Sequence, residues 1–257
     1  MPVYIMFGNR LVFTLLLWSL AATGQDAPGL KPTWTASLTG GFASTFQMTL
    51  GGTYGDGPAF QNRLTVSLNN AFRGGDSISA FGWSTTDLPT RAPNWQAGLL
   101  YKALAMHRKA GTITVTGGVQ RWVLPAIKTG AKDWLFSGNL TYGTKVKRVP
   151  LFVTADSYSL LESTLPTGTV VYTQVYTEHR LLSRDGLRVV LRQGPAFTHS
   201  WGFYGAEGNR VFRYGGALLL STKHATLESG FRQQAALQDK IPNNGYWYVL
   251  LTRQLTR

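Results

Sequence analysis

An alternation of apolar and polar positions runs from Trp34 to Leu50. Every second residue from Trp34 reads Trp, Ala, Leu, Gly, Phe, Ser, Phe, Met, Leu, whereas the set beginning at Thr35 reads Thr, Ser, Thr, Gly, Ala, Thr, Gln, Thr. A period of two predicts a β-strand whose two faces meet different environments. The pattern recurs along much of the chain, which therefore predicts an all-β fold.

Turn-forming residues divide the chain into about 12 candidate strands. Short connections lie near 73–76, 108–111, 147–150, 183–186 and 222–225, and they alternate with longer ones at 51–58, 87–94, 125–133, 161–168, 200–209 and 238–245. Gly, Pro, Asn and Asp recur in both sets because they accept the backbone angles of turns. The predicted strands are 33–50, 59–72, 77–86, 95–107, 112–123, 134–146, 150–160, 169–182, 187–199, 210–221, 226–237 and 246–256.

The first 24 residues have the pattern of a signal peptide. Arg10 provides a positive charge, residues 11–22 are apolar, and small residues precede Gln25. The apolar stretch is shorter than a typical spanning helix, which disfavours the alternative of a retained anchor. We therefore expect a signal peptide at 1–24 and a single domain at 25–257.

Composition narrows the class of protein. The chain has no cysteine, 29 glycines and only 14% charged residues, whereas about 25% is typical of globular proteins. Its formal net charge is +13, but the basic residues are spread singly through an exported chain, so we predict no nucleic-acid partner. A bilayer accepts only helices and closed barrels, and no second apolar helix follows the signal. The sequence therefore predicts a closed, antiparallel, up-and-down transmembrane β-barrel.

Tryptophan positions support this prediction. Six of them fall near strand ends beside the longer connections, where indole rings favour the membrane–water boundary. We therefore predict an aromatic girdle formed by Trp83, Trp95, Trp122, Trp134, Trp201 and Trp247. The alternative is that tryptophan packs the core of a soluble sandwich.

Most basic residues in the strands lie at the parity opposite to apolar neighbours, whereas Lys102 shares its parity with Leu100 and Leu104. An Arg or Lys facing lipid at the membrane midplane costs about 2–4 kcal/mol, so the interior is the favoured place for these side chains. The predicted lumen-lining set is Arg63, Lys102, Lys145, Arg188, Arg192, Arg213 and Arg232. Within the predicted strands the acidic residues are only Asp156, Glu178 and Glu228. A net-positive, water-filled interior would favour anions, although small barrels also fill their interiors with side chains.

No convincing catalytic or metal-binding pattern accompanies these features. His107, His179, His199 and His224 lack a serine two residues away on the same strand face, and His199 and Ser200 are adjacent, so they point to opposite faces. There is neither cysteine nor an HExxH motif. We therefore predict no catalytic residues, metal or cofactor.

The strand pattern over residues 33–257 resembles bacterial outer-membrane β-barrels as a class, with no specific family recognised. The resemblance implies an outer-membrane location in a Gram-negative bacterium, with membrane lipid and lipopolysaccharide as surroundings. The chain departs from the class at its end, Gln254 to Arg257, which lacks the usual terminal aromatic residue.

Three hypotheses follow. The preferred one is a small, porin-like passive channel for anionic solutes, which is not an enzyme. The second is a barrel enzyme acting on lipid or lipopolysaccharide. The third is a soluble, secreted β-sandwich that binds glycans through exposed aromatic residues.

Overall fold

The computed structural model describes residues 31–47, 53–54, 57–72, 74–108, 110–125, 131–239 and 241–255. The described chain contains fourteen β-strands: β1 (Thr33–Ala43), β2 (Phe46–Gln47), β3 (Thr53–Tyr54), β4 (Ala59–Asn69), β5 (Ser77–Asp87), β6 (Pro93–Arg108), β7 (Gly111–Leu124), β8 (Ala131–Val146), β9 (Val149–Glu162), β10 (Thr169–Arg184), β11 (Leu187–Phe203), β12 (Ala206–Ser221), β13 (Ala225–Ala236) and β14 (Asn244–Gln254). None of these residues belongs to a helix long and apolar enough to cross a membrane. The predicted signal peptide lies outside the described residues and stays a prediction.

Twelve of the strands form one closed antiparallel barrel, which confirms the predicted fold class. Each strand pairs with its neighbour in sequence, and β1 closes the ring by pairing with β14 on one side and β4 on the other. Closure leaves no strand of the barrel as an unpaired edge, which is how a sheet satisfies its backbone groups in a membrane. The soluble two-sheet sandwich is therefore wrong. β2 and β3 form a separate hairpin in the connection between β1 and β4.

The connections lie at two ends of the barrel, the turn end and the loop end. The loop end carries the connections from β1 to β4, β5 to β6, β7 to β8, β9 to β10, β11 to β12 and β13 to β14. The turn end joins β4 to β5, β6 to β7, β8 to β9, β10 to β11 and β12 to β13. Lys147 and Arg148 form one two-residue turn there, with φ of 48° and 73°. One predicted long loop, 200–209, is wrong, because β11 continues to Phe203 and the turn contains only Tyr204 and Gly205. Their φ values of 54° and 75° match the twist that hairpin turns favour.

Contacts across the barrel identify its inner face. Arg232 Nη1 on β13 donates to the Tyr172 hydroxyl on β10 at 2.7 Å, although these strands are not neighbours in the sheet. Residues in register with these two therefore point inward. The alternate positions carry the large exposed apolar side chains, including Leu38, Leu99 and Phe231. Such a band is what a lipid-facing surface requires.

Two places that lack clean alternation have a structural explanation. In β14, Tyr248 points inward and packs with Ala43 and Ala217, so this strand is apolar on both faces. Pro195 lies within β11 and faces outward, paired with Tyr214. The ladder between β10 and β11 has no pairs between Gln174–Ala196 and Thr177–Gln193, opposite this proline. Because proline has no N–H to donate, this gap in the ladder of backbone hydrogen bonds coincides with the position of Pro195.

Candidate functional site in the barrel interior

The strand register places all seven predicted lumen residues on the inward face. Arg63 pairs with Trp83 and Thr39, and Arg192 pairs with Glu178 and Ala217. The same pairing turns the others inward: Lys102, Lys145, Arg188, Arg213 and Arg232. Strand alternation in the sequence therefore carries enough information to assign the face of each cation.

Acidic residues are more numerous inside than the sequence predicted. Asp87 and Asp133 belong to β5 and β8 rather than to connections, and both are buried on the inward face. The inward positions of the described barrel strands hold eight basic residues, Arg63, Lys102, Lys145, Arg180, Arg188, Arg192, Arg213 and Arg232, and five acidic ones, Asp87, Asp133, Asp156, Glu178 and Glu228. The interior therefore keeps an excess of three positive charges.

The inward acids have different partners. Glu178 Oε1 accepts from Arg192 Nε at 3.1 Å and from Arg192 Nη2 at 2.8 Å, and its second oxygen lies 3.9 Å from Arg188 Nη2. Asp156 accepts from the Asn139 amide at 2.7 Å, and Glu228 accepts from the Tyr248 hydroxyl at 2.8 Å. Among the described residues, Glu178 is the inward acid that forms ion pairs. Most inward cations are therefore not neutralised by a contacting carboxylate.

A central cavity of about 470 Å³ occupies one side of the interior. Side chains from eight strands line it, including Gln61, Arg63, Trp83, Gln96, Asn139, Asp156 and Tyr158. The Arg63 guanidinium lies 4.7 Å from the centre of the Phe81 ring and, within the described chain, forms no hydrogen bond or ion pair. Arg63 therefore presents donors to the cavity that a solute could use.

Arginine and tyrosine side chains pack together on the opposite side of the interior. The guanidinium of Arg213 donates to Gln234 at 2.9 Å and lies 5.8 Å from the Tyr172 ring centre. Arg213 is only 4% exposed, so its charge is inside the barrel but its side chain is covered. Together with the bond from Arg232 to Tyr172, these contacts make an arginine–tyrosine wall that narrows the interior.

An apolar cluster narrows the loop end. Trp122 packs against Tyr158 and Phe203, with ring centres 5.5 Å and 6.4 Å apart. Leu124, Leu135, Leu160 and Val170 complete the cluster. Val170 explains why the start of β10 is apolar on both faces, because its inward side chain meets this cluster.

The predicted girdle is wrong for Trp83 and Trp122. Both point inward: Trp83 is in register with Arg63, and Trp122 donates from Nε1 to Gln120 at 3.0 Å. Both lie near the loop end, as a girdle requires, but each occupies an inward position next to an outward, lipid-facing one. The other four tryptophans, Trp95, Trp134, Trp201 and Trp247, are exposed on the outward face near the loop end.

A second cavity, of about 460 Å³, opens at the turn end. Lys145, Arg148, Arg180 and Arg188 line it, with Glu178 as the acid among its lining residues. Arg148 and Arg180 are not among the lumen-lining residues that the sequence predicted. Arg180 shares its strand parity with Glu178, and this parity could have assigned it to the inward face. Arg148 lies in a turn, where strand parity gives no information.

The histidines have ordinary partners. His107 Nδ1 lies 2.9 Å from Thr112 Oγ1, and His199 Nδ1 lies 2.7 Å from Asn209 Oδ1. His179 Nε2 lies 3.1 Å from Thr177 Oγ1. No group of three or more metal-ligating side chains occurs among the described residues.

No family model and no curated protein matches the sequence. Solved structures do match. An outer-membrane channel from Pseudomonas putida F1 has a TM-score of 0.56 and 9% identity, covering 91% of this chain and 98% of that one. The β domain of the Bordetella autotransporter BrkA gives 0.53 and 10%, covering 85% and 98%. LpxR from Salmonella typhimurium gives 0.52 and 10%, covering 84% and 99%.

The protein has the fold of outer-membrane β-barrels. At sequence identities of 9–10% the similarity shows the fold alone, and the matched structures carry different names: a channel, an autotransporter domain and LpxR. Only the side chains of this chain can therefore indicate its function.

Proposed function

We propose that this protein is an outer-membrane β-barrel that acts as a small passive channel favouring anionic solutes. The outward apolar band and the likeness to outer-membrane barrels support the location. One observation carries the selectivity: the inward face has an excess of positive charge, most of it without a contacting carboxylate. A low-dielectric wall strengthens the field of such charges, so anions are attracted and cations repelled.

The distribution of the acids strengthens this argument. Asp87 accepts from the Thr90 amide at 3.0 Å, and Asp133 accepts from the Tyr204 hydroxyl, so both hold local structure at the loop end. The inward cations are most numerous at the turn-end cavity, which Lys145, Arg148, Arg180 and Arg188 line with Glu178, whereas the central cavity is lined by Arg63 and Asp156. An anion entering from the turn end would meet these cations first.

The packing sets a limit on size. The arginine–tyrosine wall and the apolar loop-end cluster occupy much of the interior, and twelve strands form a barrel between those that are filled and those that hold a wide channel. We therefore expect a low conductance and exclusion of large solutes.

Planar-bilayer recordings test the proposal. In a salt gradient the reversal potential of the wild-type protein should indicate anion preference, and Arg63→Glu should shift it toward cations because two units of charge change beside the central cavity. The matched control is Arg253→Glu, which makes the same change at an exposed outward position of β14. A wild-type protein without conductance, or with cation preference, contradicts the proposal.

The second hypothesis, an enzyme acting on lipid, has one observation in its favour. Thr177 Oγ1 lies 3.1 Å from His179 Nε2, a distance at which a base can accept the proton of a hydroxyl nucleophile, and both residues face outward on β10. A phospholipase and a deacylase assay should compare the wild-type protein with Thr177→Val and His179→Gln. Turnover lost in both variants would support an enzyme, whereas no turnover by the wild-type protein removes this hypothesis.

A further inference from the structure

The outward face of the barrel has a hollow that is independent of the interior. It has a volume of about 370 Å³ and crosses strands β1, β4, β5, β6 and β7. We name it the lateral groove and define it by Leu38, Leu64, Gly82, Ala97, Trp95 and Arg121. All six face outward. Five of them are successive cross-strand partners, namely Leu38, Leu64, Gly82, Ala97 and Arg121, and Trp95 lies two residues from Ala97 on β6.

Small residues create the floor of this groove. Gly82 and Ala97 are direct partners, and a methyl group built on Gly82 would meet no atom within 4 Å. Large apolar side chains rise on either side, and Leu38, Leu64 and Trp95 are each exposed. The floor and walls therefore fit a flexible apolar chain lying across the sheet.

Positive charge lies at one end of the groove. Arg121 is the partner of Ala97 on one side and Trp134 on the other, and its guanidinium lies 5.3 Å from the centre of the Trp134 ring. Lys132, exposed and outward, is diagonal to Arg121 because it pairs with Val123. Among the described residues neither cation forms an ion pair. Glu162 lies one strand further, paired with Trp134.

The order of these features follows that of an amphiphile. Exposed tryptophans occupy the level of lipid headgroups in membrane proteins, and here Trp95 and Trp134 flank Arg121. The cations therefore lie at headgroup depth, while Gly82, Leu64 and Leu38 continue toward the hydrocarbon. Anionic lipid headgroups attract Lys and Arg at this depth, so Arg121 and Lys132 favour a lipid phosphate there.

We propose that the lateral groove binds one anionic, phosphate-bearing membrane lipid, with an acyl chain over Gly82 and Ala97 and the phosphate at Arg121 and Lys132. Asn62 and Ser84 also lie along the groove and provide amide and hydroxyl groups for the headgroup. The occupant is a lipid rather than a soluble anion because the apolar floor and the cationic end are continuous. This site faces outward and does not depend on the proposed channel.

Binding of phosphatidylglycerol to the purified, folded barrel in detergent, measured by native mass spectrometry, tests this proposal. We expect saturable binding at one high-affinity site, weaker binding of phosphatidylcholine, and none of inorganic phosphate alone. Arg121→Gln should weaken phosphatidylglycerol binding about fivefold, the value of one cation near an anionic lipid. Gly82→Leu should weaken both lipids by filling the floor.

The matched controls keep the test specific. Ala80→Leu adds a similar side chain to the next outward position of β5, outside the groove, and Lys223→Gln removes an exposed cation from the turn between β12 and β13. Heat-dependent migration on SDS gels verifies that each variant folds. Equal binding of the two lipids, phosphate binding without lipid, or equal losses in variants and controls would each overturn the proposal.

Discussion

Replacing Glu178 with glutamine should lower the stability of the barrel and raise its anion preference at the same time. The carboxylate receives two hydrogen bonds from Arg192, at 3.1 Å and 2.8 Å, and lies 3.9 Å from Arg188. Glutamine keeps an acceptor oxygen and the side-chain shape, so the change removes charge rather than volume. Arg188 and Arg192 would then repel each other without a carboxylate between them.

The structure sets the size of the effect. The Glu178 side chain is 15% exposed, whereas that of Arg192 is 31% exposed, so solvent screens part of the interaction. Hydrogen bonds to charged groups contribute about 1.5–3 kcal/mol, and some of this survives in the glutamine variant. After allowing for screening, we expect the free energy of unfolding to fall by about 1–2 kcal/mol.

Urea unfolding of the barrel from lipid vesicles, followed by tryptophan fluorescence, measures the loss of stability. Asp185→Asn is the matched control, since it removes the same charge from an exposed turn and asparagine also accepts the positive φ of 50° found there. The control should change the unfolding free energy little, because its partner Arg184 is equally exposed. Bilayer recordings of the same proteins give the reversal potentials.

Two results would refute this reasoning. An unfolding free energy equal to that of the wild-type protein would mean that the contacts between Glu178 and Arg192 contribute no stability. A reversal potential that moves toward cations, or that moves as much in the Asp185→Asn control, would mean that inward charge does not set selectivity.

Two further predictions concern packing. Gly118→Ala should destabilise the barrel by about 1–3 kcal/mol, because the added Cβ would lie 2.0 Å from the Leu99 carbonyl oxygen. Gly82→Ala should be tolerated, because its Cβ would meet no atom within 4 Å. Thermal unfolding of both variants in detergent compares their stabilities, and equal effects would contradict this explanation. Trp122→Ala should lower the free energy of unfolding by about 3–5 kcal/mol, because this side chain is only 8% exposed within the loop-end cluster. Trp95→Ala should lower it less, because Trp95 is exposed on the outward face. Urea midpoints that rank the two variants the other way would contradict the assigned faces.

Alternation along the strands determined the class of fold. Lipid on one side and polar contents on the other impose a period of two, which can be recognised without knowing which strands pair. The same alternation assigned Arg63 and Arg232 to the inward face, because each has polar neighbours at its own parity and apolar ones at the other.

Where both faces are apolar, alternation loses its information. Trp122 lies between Arg121 and Val123, and only the packed loop-end cluster explains why the indole turns inward and the arginine outward. Strand ends were a second source of error. Asp133 was assigned to a connection because turn residues precede it, yet β8 already begins at Ala131, and this places a buried acid inside the barrel.

The sequence by itself determined that the chain alternates between two environments, that its strands are suited to an antiparallel meander, and that most of its strand cations lie at the parity opposite the apolar face. Tertiary structure decided which of those cations face an open cavity, as Arg63 does, and which are covered, as Arg213 is. The physical reason is that contacts across the interior, such as Arg232 with Tyr172, depend on the register of every intervening strand. No local pattern records that register.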